Sequence, residues 1–345
     1  MPDIKFGNYI PAPAFKLPTI LKSVKSAEEA GFDSIWIADH LAMIPVGYCP
    51  EVWSILGGLA LSTKSVILGT GVTDPHRRHP ALLAQSIATL DQMSQGRMVL
   101  GIGPGEAMNL DPYRIPWDKP VARIVEVITI LRKLWVEQSV SFDGKFFRLK
   151  NAALFIDPLF RKKIPIYIAG NSPRTRQITG EIGDGWFPLN ESPELYKKHA
   201  EEVAQSAQRV GRSPTDLDYA LMTYTAIAND IENALKRVEF TRMIFATDTR
   251  KLEEGYDLRL KEDLNISQAT PSSEFFGKLQ NVADKITDEI ITDFTIIGTV
   301  EDVIEKIDQF LKAGVTHLVM LNRGPDVQHV YKTFSELIIP YFKEQ

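Results

Sequence analysis

The clearest folding pattern in the sequence lies at residues 65–103, SVILGTGVTDPHRRHPALLAQSIATLDQMSQGRMVLGIG. Two short apolar runs, 65–72 and 97–103, flank a helix-like stretch at 80–96. Near-continuous apolar runs are typical of parallel strands that are covered on both faces. A proline and a glycine stand where such a helix would begin and end. The stretch therefore predicts a strand–helix–strand unit.

The same unit recurs along the whole chain. Apolar runs predict eight strands, each followed by a helical stretch, at residues 4–10, 33–40, 65–72, 97–103, 164–170, 184–189, 216–228 and 316–322. An open doubly wound sheet is an alternative arrangement. Eight repeats in 345 residues favour a closed (β/α)8 barrel, the TIM barrel of the α/β class. With no linker or low-complexity segment in the sequence, we expect a single domain over residues 1–345.

Two segments interrupt this rhythm. Residues 140–158 predict a hairpin turned at Asp143-Gly144 and inserted before the fifth strand. Residues 229–293 are longer than one crossover needs and contain helix-like stretches, so we expect a helical insertion that serves as a lid or a partner surface. A short apolar run at 293–299 leaves open which strand is the eighth.

Composition excludes several classes of protein. The formal net charge is −5 and no long Lys/Arg tract is present, so a nucleic-acid partner is not expected. No apolar run reaches the roughly 18 residues that a membrane span requires. The single cysteine, Cys49, excludes an internal disulfide and a multi-cysteine metal site. We therefore expect a cytoplasmic protein that does not enter a membrane.

The glycine-rich stretch GIGPGEAMN at residues 101–109 raises the question of a nucleotide-phosphate loop. The dinucleotide fingerprint requires a third glycine and an acidic residue about 20 positions on, at the end of a second strand. Here Glu106 occupies the third glycine position, and Glu126 lies inside a predicted helix. A carboxylate would also repel a pyrophosphate. The dinucleotide interpretation fails, and the glycines need another explanation.

Polar residues gather where the predicted strands end, which in a parallel barrel is the side of the active site. The second strand ends in Asp39 and His40, and Glu106 follows the fourth. The pKa range of histidine suits proton transfer, and burial could raise the pKa of Glu106. The alternatives are a helix-capping or core histidine and a solvated loop carboxylate.

The loop after the third strand carries two histidines around Arg77-Arg78. This cluster could neutralise an anionic ligand, but a basic surface loop is the favoured interpretation. The histidine spacing matches no H-E-x-x-H pattern, so we expect no metal site. No G-x-S-x-G elbow is present for a serine nucleophile.

Taken together, four strand ends resemble those of a known superfamily. These are IWIADH, GTGVTDPHRRHPALLAQSIATLDQMSQGR, GIGPGEAMN and IAGNSPRTRQITGEIGDGW. They are similar to the bacterial-luciferase-like superfamily, and more narrowly to its branch that uses the 8-hydroxy-5-deazaflavin coenzyme F420. That branch includes methylenetetrahydromethanopterin reductase, a secondary alcohol dehydrogenase and a glucose-6-phosphate dehydrogenase. The resemblance extends over nearly the whole chain.

The resemblance implies that a deazaflavin lies across the barrel mouth, where glycines without a Cβ admit its close approach. It implies a non-proline cis peptide at Gly71-Val72. Positions that match contacts of the ring or the ribityl chain are Asp39, Gly71, Val72, Asp74, Gly103, Gly105 and Asn109. The N–H groups of one loop would hold the coenzyme phosphate, with Arg174 and Arg176 nearby. That loop comprises Ala169, Gly170, Asn171 and Ser172.

The chemistry implied is direct hydride transfer between C5 of the deazaflavin and a carbon of a small-molecule substrate, because a 5-deaza ring resists one-electron and oxygen chemistry. By the same resemblance His40 takes the substrate hydroxyl proton, Glu106 is a proton donor to the coenzyme, and the protein is a homodimer. An FMN-dependent monooxygenase of the same superfamily is the alternative enzyme. A non-catalytic barrel subunit is the alternative without catalysis.

Two positions depart from the sugar-phosphate enzymes of this branch. Ile44 stands where those enzymes have a tryptophan, and Ser192 lies near the place of their phosphate-binding lysine. Glucose 6-phosphate is therefore not favoured as the substrate. The segments GVTDPHRRHPA and RIPWDKPV are closer to the reductase and alcohol dehydrogenase group. The sequence leaves the substrate and the physiological direction of hydride transfer open.

Overall fold

The computed structural model describes residues 4–10, 16–42, 49–158, 160, 163–256, 258, 260–268, 272–322 and 327–343. Ile44, which bears on the substrate, lies outside these ranges. No helix in the described part of the chain combines the length and apolar character that crossing a membrane requires.

The described strands follow the predicted apolar runs. They are β1 Lys5–Ile10, β2 Ser34–Ile37, β3 Ile67–Thr70, β4 Met98–Ile102, β5 Val140–Asp143, β6 Arg148–Ala152, β7 Ile166–Ile168, β8 Gly185–Trp186, β9 Asp218–Ile227, β10 Ile296–Gly298 and β11 His317–Asn322. Parallel pairing runs through β1, β2, β3, β4, β7, β8, β9 and β11, and β11 pairs with β1 to close the sheet. The closed eight-stranded barrel predicted from the sequence is confirmed.

The position of β10 answers the question of the eighth strand. Ile296–Gly298 pairs in parallel with residues 225–227 at the end of β9, and it is not one of the eight strands of the closed circuit. The last barrel strand is therefore β11, because it pairs with both β9 and β1.

Helices cover the outside of the barrel. They are α1 Leu17–Glu29, α2 Val52–Ser62, α3 Pro80–Met93, α4 Ala107–Leu110, α5 Pro120–Leu134, α6 Pro173–Ile182, α7 Pro193–Arg209, α8 Ile231–Val238, α9 Thr241–Phe245, α10 Thr249–Gly255, α11 Ser273–Ala283, α12 Asp288–Phe294, α13 Val300–Lys312, α14 Val327–Thr333 and α15 Ile339–Lys343. A π-helical turn, Phe334–Ile338, joins the last two. Helix α13 illustrates their packing: Val303, Ile307 and Phe310 recur at helical spacing and are buried.

Aromatic side chains fill the barrel interior. The ring of Trp36 lies 4.5 Å from that of Phe187 and 5.5 Å from that of Tyr167. A Cβ at Gly69 would lie 2.5 Å from Trp36 Cε3, so glycine on β3 makes room for the indole. The interior is therefore a packed core, as expected for a barrel of eight strands.

The predicted hairpin is present as β5 and β6, which pair antiparallel around Asp143-Gly144. Glu126 on α5 fixes its turn, because the Glu126 carboxylate accepts the N–H groups of Lys145, Phe146 and Phe147 at 2.7, 3.0 and 3.1 Å. The carboxylate considered for a nucleotide ribose thus has a structural role. The predicted insertion is also helical and comprises α8 to α12.

The amino end of the barrel is held by a buried ionic cluster around Asp218. Its carboxylate accepts from Lys5 Nζ at 2.7 Å, Thr316 Oγ1 at 2.5 Å and His317 Nδ1 at 3.3 Å. Burial by itself would raise the pKa of Asp218, but His317 and Lys5 outweigh it and hold that pKa well below its usual range. These residues lie at the first positions of β1, β9 and β11 or beside them, so the cluster ties those strands together.

Replacing Asp218 by Asn should lower the free energy of unfolding at pH 7 by about 3 kcal/mol, because Lys5 and His317 lose a buried anionic partner. A lowered folded-state pKa means that the stabilisation is present above the unfolded pKa of about 3.9 and is lost as pH falls. The difference between wild type and D218N should therefore shrink in acid. Denaturant titrations at pH 7 and about pH 2.5, well below the unfolded pKa, measure it.

Asp143→Asn is the matched control, because that side chain is 87% exposed in the hairpin. Its effect should stay within about 1 kcal/mol at either pH. Equal destabilisation by the two substitutions would contradict the role given to Asp218.

Candidate active site

The polar strand ends lie side by side at the carboxyl rim of the barrel. Thr73 connects three of them: its hydroxyl donates to Asp39 Oδ2 at 2.6 Å, its N–H to Gly101 O at 3.0 Å, and its carbonyl accepts from Gly103 N at 2.8 Å. The N–H of Ala169 continues the series by donating to the carbonyl of Ile102 at 2.8 Å. The ends of β2, β3, β4 and β7 therefore form one continuous rim.

His40, Glu106 and Asn109 form a cluster on this rim. His40 Nδ1 lies 3.4 Å from Glu106 Oε2 and 3.0 Å from Asn109 Nδ2. Asn109 Nδ2 also donates to Glu106 Oε2 at 3.1 Å. The side chains of His40 and Glu106 are 15% and 26% exposed, so both reach the mouth while being partly enclosed. An imidazole and a carboxylate are the side chains that most often exchange protons with a bound reactant.

Asn109, which the resemblance makes a contact of the coenzyme, forms several hydrogen bonds within the protein. Its side chain is buried, and its Oδ1 accepts the N–H groups of Leu41 and Ala42, both at 2.8 Å. Both ends of the amide are therefore engaged with protein groups. Asn109 therefore connects the backbone of residues 41 and 42 to the side chains of His40 and Glu106.

Asp39 and Asp74 share a buried arginine. Arg77 Nη1 lies 3.2 Å from Asp39 Oδ1, and Arg77 Nε donates to the carboxylate of Asp74. Burial by itself lowers the pKa of Arg77, but the charges of Asp39 and Asp74 outweigh it and raise that pKa. The Arg77 side chain is only 11% exposed. Arg77 is therefore not part of an exposed basic loop, the interpretation favoured from the sequence. It is also not free to bind an anionic ligand, because two carboxylates already pair with it.

The loop that carries Glu106 is fixed from two sides at Pro104. The carbonyl oxygen of Pro104 lies 3.2 Å from His76 Nε2 and accepts from Trp117 Nε1 at 3.0 Å. Burial lowers the pKa of His76. The neighbouring His79 is exposed and caps α3 by accepting the N–H of Ala81. Neither histidine belongs to an anion site in this arrangement.

The Gly71-Val72 peptide is cis, as predicted. The direction in which a Cβ would point at two of these glycines is occupied by protein. A Cβ at Gly103 would lie 2.7 Å from Val72 Cγ2, and one at Gly71 would lie 3.1 Å from the Tyr9 ring. Gly105 has φ +81°, a conformation that favours glycine. The side-chain direction of these glycines is thus filled by protein, and their first role is packing within the rim.

The loop between β7 and α6 offers fewer free N–H groups than predicted. Ser172 N donates to Thr175 Oγ1 at 3.1 Å, as part of the capping box of α6, and the N–H of Ala169 is already used on the rim. Within the described part of the chain, the N–H groups of Gly170 and Asn171 have no acceptor. Of the four residues predicted to hold the coenzyme phosphate, only Gly170 and Asn171 therefore have N–H groups available to bind an anion at the amino end of α6.

The two arginines near this loop behave differently from each other. Arg176 is buried, and it donates to Glu202 Oε2 at 2.7 Å and to the carbonyl of Asn171 at 2.6 Å. It holds the loop in place and is not a free cation. Arg174 is exposed and bonds Gln177 on its own helix.

The helical insertion reaches the rim through α10, which the sequence did not predict. Asn171 Nδ2 donates to Asp248 Oδ2 at 3.2 Å. Lys251 Nζ donates to the carbonyls of Leu189 and Asn190 at 2.7 and 2.8 Å, at the end of β8. A small cavity of about 50 Å³ lies between these residues. Lys251 lies in a polar, charge-rich stretch of sequence, where nothing in the neighbouring residues predicts that its side chain is buried. Its contacts with the rim are therefore seen only in the folded structure.

Comparison with known proteins identifies the family of the whole chain. The sequence profile of the luciferase-like monooxygenase family matches residues 4–317. A 5,10-methylenetetrahydromethanopterin reductase from Archaeoglobus fulgidus is 34% identical over 344 residues, which cover 99% of this chain and 100% of the relative.

Two solved structures are similar over their whole length. A coenzyme F420-dependent tetrahydromethanopterin reductase from Methanopyrus kandleri has a TM-score of 0.84 and 26% identity, with 99% of each chain covered. An F420-dependent secondary alcohol dehydrogenase in complex with an F420-acetone adduct has a TM-score of 0.83 and 25% identity, with 98% of each chain covered. The resemblance predicted from the strand ends is confirmed. Since the profile and the reductase each match nearly the entire sequence, the chain belongs to the luciferase-like monooxygenase family.

Proposed function

We propose that this protein is a coenzyme F420-dependent oxidoreductase, which transfers a hydride between C5 of the deazaflavin and a carbon of a small organic substrate. The cluster of His40, Glu106 and Asn109 on the carboxyl rim of the barrel carries the proposal. The choice of coenzyme F420 rests on the similar solved structures, which are of F420-dependent enzymes. An enzyme that moves a hydride at a carbon also needs groups that manage the accompanying proton.

The residues present fit such a coenzyme. Gly170 and Asn171 offer two N–H groups without an acceptor in the described chain, at the amino end of a helix, where an anionic phosphate is stabilised. The rim formed by the ends of β2, β3 and β4 would hold the ring and the ribityl chain. The coenzyme supplies the two-electron carrier. The protein supplies binding, orientation and the proton.

Glu106 and His40 divide the proton chemistry in this proposal. Glu106 sits on a loop whose backbone is clamped at Pro104, so its carboxyl group stays at the mouth and can hold a proton beside the coenzyme. His40 lies 3.4 Å from it, and in this proposal its other ring nitrogen would face the substrate. Asp39 and Asp74, paired with Arg77, keep the neighbouring strand ends in register.

The substrate belongs to the methylenetetrahydromethanopterin or alcohol type, with sugar phosphates less favoured because Ser192 is a buried helix cap. Helices of the insertion reach the rim through Asp248 and Lys251, so this segment would help to shape the pocket. We also infer, from the resemblance and the single cysteine, a cytoplasmic homodimer.

Titration of the purified protein with oxidised coenzyme F420 and with FMN tests the proposal directly. We expect F420 to bind at least about 100-fold more tightly than FMN, as followed by quenching of coenzyme fluorescence. Turnover would then be tested with methylenetetrahydromethanopterin, secondary alcohols and glucose 6-phosphate. Preferred binding of FMN with oxygen uptake would favour the monooxygenase, and binding of neither compound would favour a non-catalytic barrel subunit.

Replacing Glu106 by Gln keeps the shape of the side chain and removes its acid. Turnover should fall by about 100-fold or more, the usual contribution of a general acid, while the Kd for F420 should change by less than about threefold. Steady-state kinetics and the fluorescence titration measure the two quantities.

Glu137→Gln is the matched control, because its side chain is 44% exposed and pairs with Lys133 on the protein surface. It should behave as wild type in both assays. Undiminished turnover in E106Q would remove Glu106 from the mechanism.

A further inference from the structure

The amide of Asn109 can adopt only one orientation in this site. Its Oδ1 faces two backbone donors, the N–H groups of Leu41 and Ala42, each at 2.8 Å. Turning the amide over would place an NH2 group against both N–H groups, with no acceptor between them. The two backbone donors therefore show which atom of the Asn109 amide is oxygen and which is nitrogen. A contact with one group that can both donate and accept would not distinguish them.

This orientation directs the NH2 group of Asn109 at His40 Nδ1, 3.0 Å away, and at Glu106 Oε2, 3.1 Å away. An amide NH2 only donates, so Nδ1 must offer its lone pair. The neutral imidazole then carries its proton on Nε2. Glu106 Oε2, at 3.4 Å from Nδ1, is beyond the usual length of a hydrogen bond and does not replace Asn109.

We propose that Asn109 is a positioning residue that holds His40 in the Nε2–H tautomer, so that His40 presents a hydrogen-bond donor to the substrate. The consequence for catalysis rests on the proposed function above. It changes the role implied by the resemblance, in which His40 takes a proton from a substrate hydroxyl. Here Nε2 already carries its proton, and the nitrogen with a free lone pair faces Asn109.

A donor at Nε2 suits a substrate atom that gains electron density when a hydride arrives at the neighbouring carbon. A carbonyl oxygen or an imine nitrogen is such an atom, and a neutral imidazole can polarise it without giving up its proton. The site is thus arranged to stabilise the negative charge that forms on oxygen or nitrogen when a hydride adds to the carbon of a C=O or C=N group. Glu106 would supply the proton that this anion then takes up.

Two carboxylates lie near the His40 ring. Glu106 faces the ring from the loop after β4, and Asp39 precedes it in the chain, although Asp39 is paired with Arg77. An imidazolium would set Nδ1–H against the NH2 of Asn109. Relieving that contact would require the amide to turn and break both bonds to the backbone of residues 41 and 42. The geometry therefore keeps Nδ1 as a hydrogen-bond acceptor.

Nitrogen-15 NMR of histidine-labelled protein tests the tautomer without any coenzyme. The chain has six histidines, and His40→Gln identifies the signal that belongs to His40. In the wild type at pH 8 we expect the pattern of the neutral Nε2–H tautomer. Asn109→Asp replaces the NH2 donor by a carboxylate oxygen, so His40 should gain a proton at Nδ1 and its pKa should rise by about one unit or more.

Asn151→Asp, in the exposed hairpin, adds the same charge away from the site and should leave the His40 signal unchanged. If the enzyme turns over, the acid limb of its rate profile should move to higher pH in N109D by the same interval, because the neutral donor is then lost at higher pH. A wild-type His40 that is neutral with its proton on Nδ1, or an imidazolium at pH 8, would overturn the proposal. So would an N109D protein with wild-type spectra and pH profile.

The spectrum of the wild-type protein shows the tautomer of His40 directly. The proposal can therefore be rejected even if N109D does not fold. If the protein failed to bind F420, the proposed function would be rejected. The NMR spectrum would still show whether Asn109 holds His40 in the Nε2–H tautomer, because that experiment uses no coenzyme.

Discussion

All eight barrel strands run in the same direction, and closure of the sheet brings every carboxyl end to one rim. This geometric constraint places His40, which follows β2, beside Glu106 and Asn109, which follow β4, although nearly 70 residues separate them in the chain. Short hydrogen bonds through Thr73 then fix the distances along the rim. The chemistry of the site depends on this closure, because no single loop contains the residues of the cluster.

The two ends of the barrel are organised by different kinds of interaction. At the amino end, Asp218 gathers Lys5 and His317 into an ionic cluster that joins three strands. At the carboxyl end, ion pairs such as that between Arg77 and Asp39 stand behind a partly exposed His40–Glu106 pair. Stability and reactivity therefore lie on opposite faces, the usual division in this fold.

The sequence predicted those features that repeat or that follow a strand directly. The eight strands and the proximity of His40 to Glu106 belong to this class. The hairpin follows from its turn residues Asp143-Gly144, and the cis peptide after Gly71 is implied only by the resemblance to the family. The sequence did not predict contacts that depend on where distant side chains meet. Arg77 appears as part of a basic run in the sequence, and its partners can be identified only after the rim is assembled.

The carbonyl of Pro104 accepts two hydrogen bonds from side chains that lie on opposite flanks of its loop, His76 and Trp117. A peptide group held in this way fixes the main chain two residues before Glu106. The loop can thus present a carboxyl group at the rim from a main chain whose path is set by side chains of other segments. Such a fixed loop is compatible with a reaction that must be shielded from water at the moment of transfer.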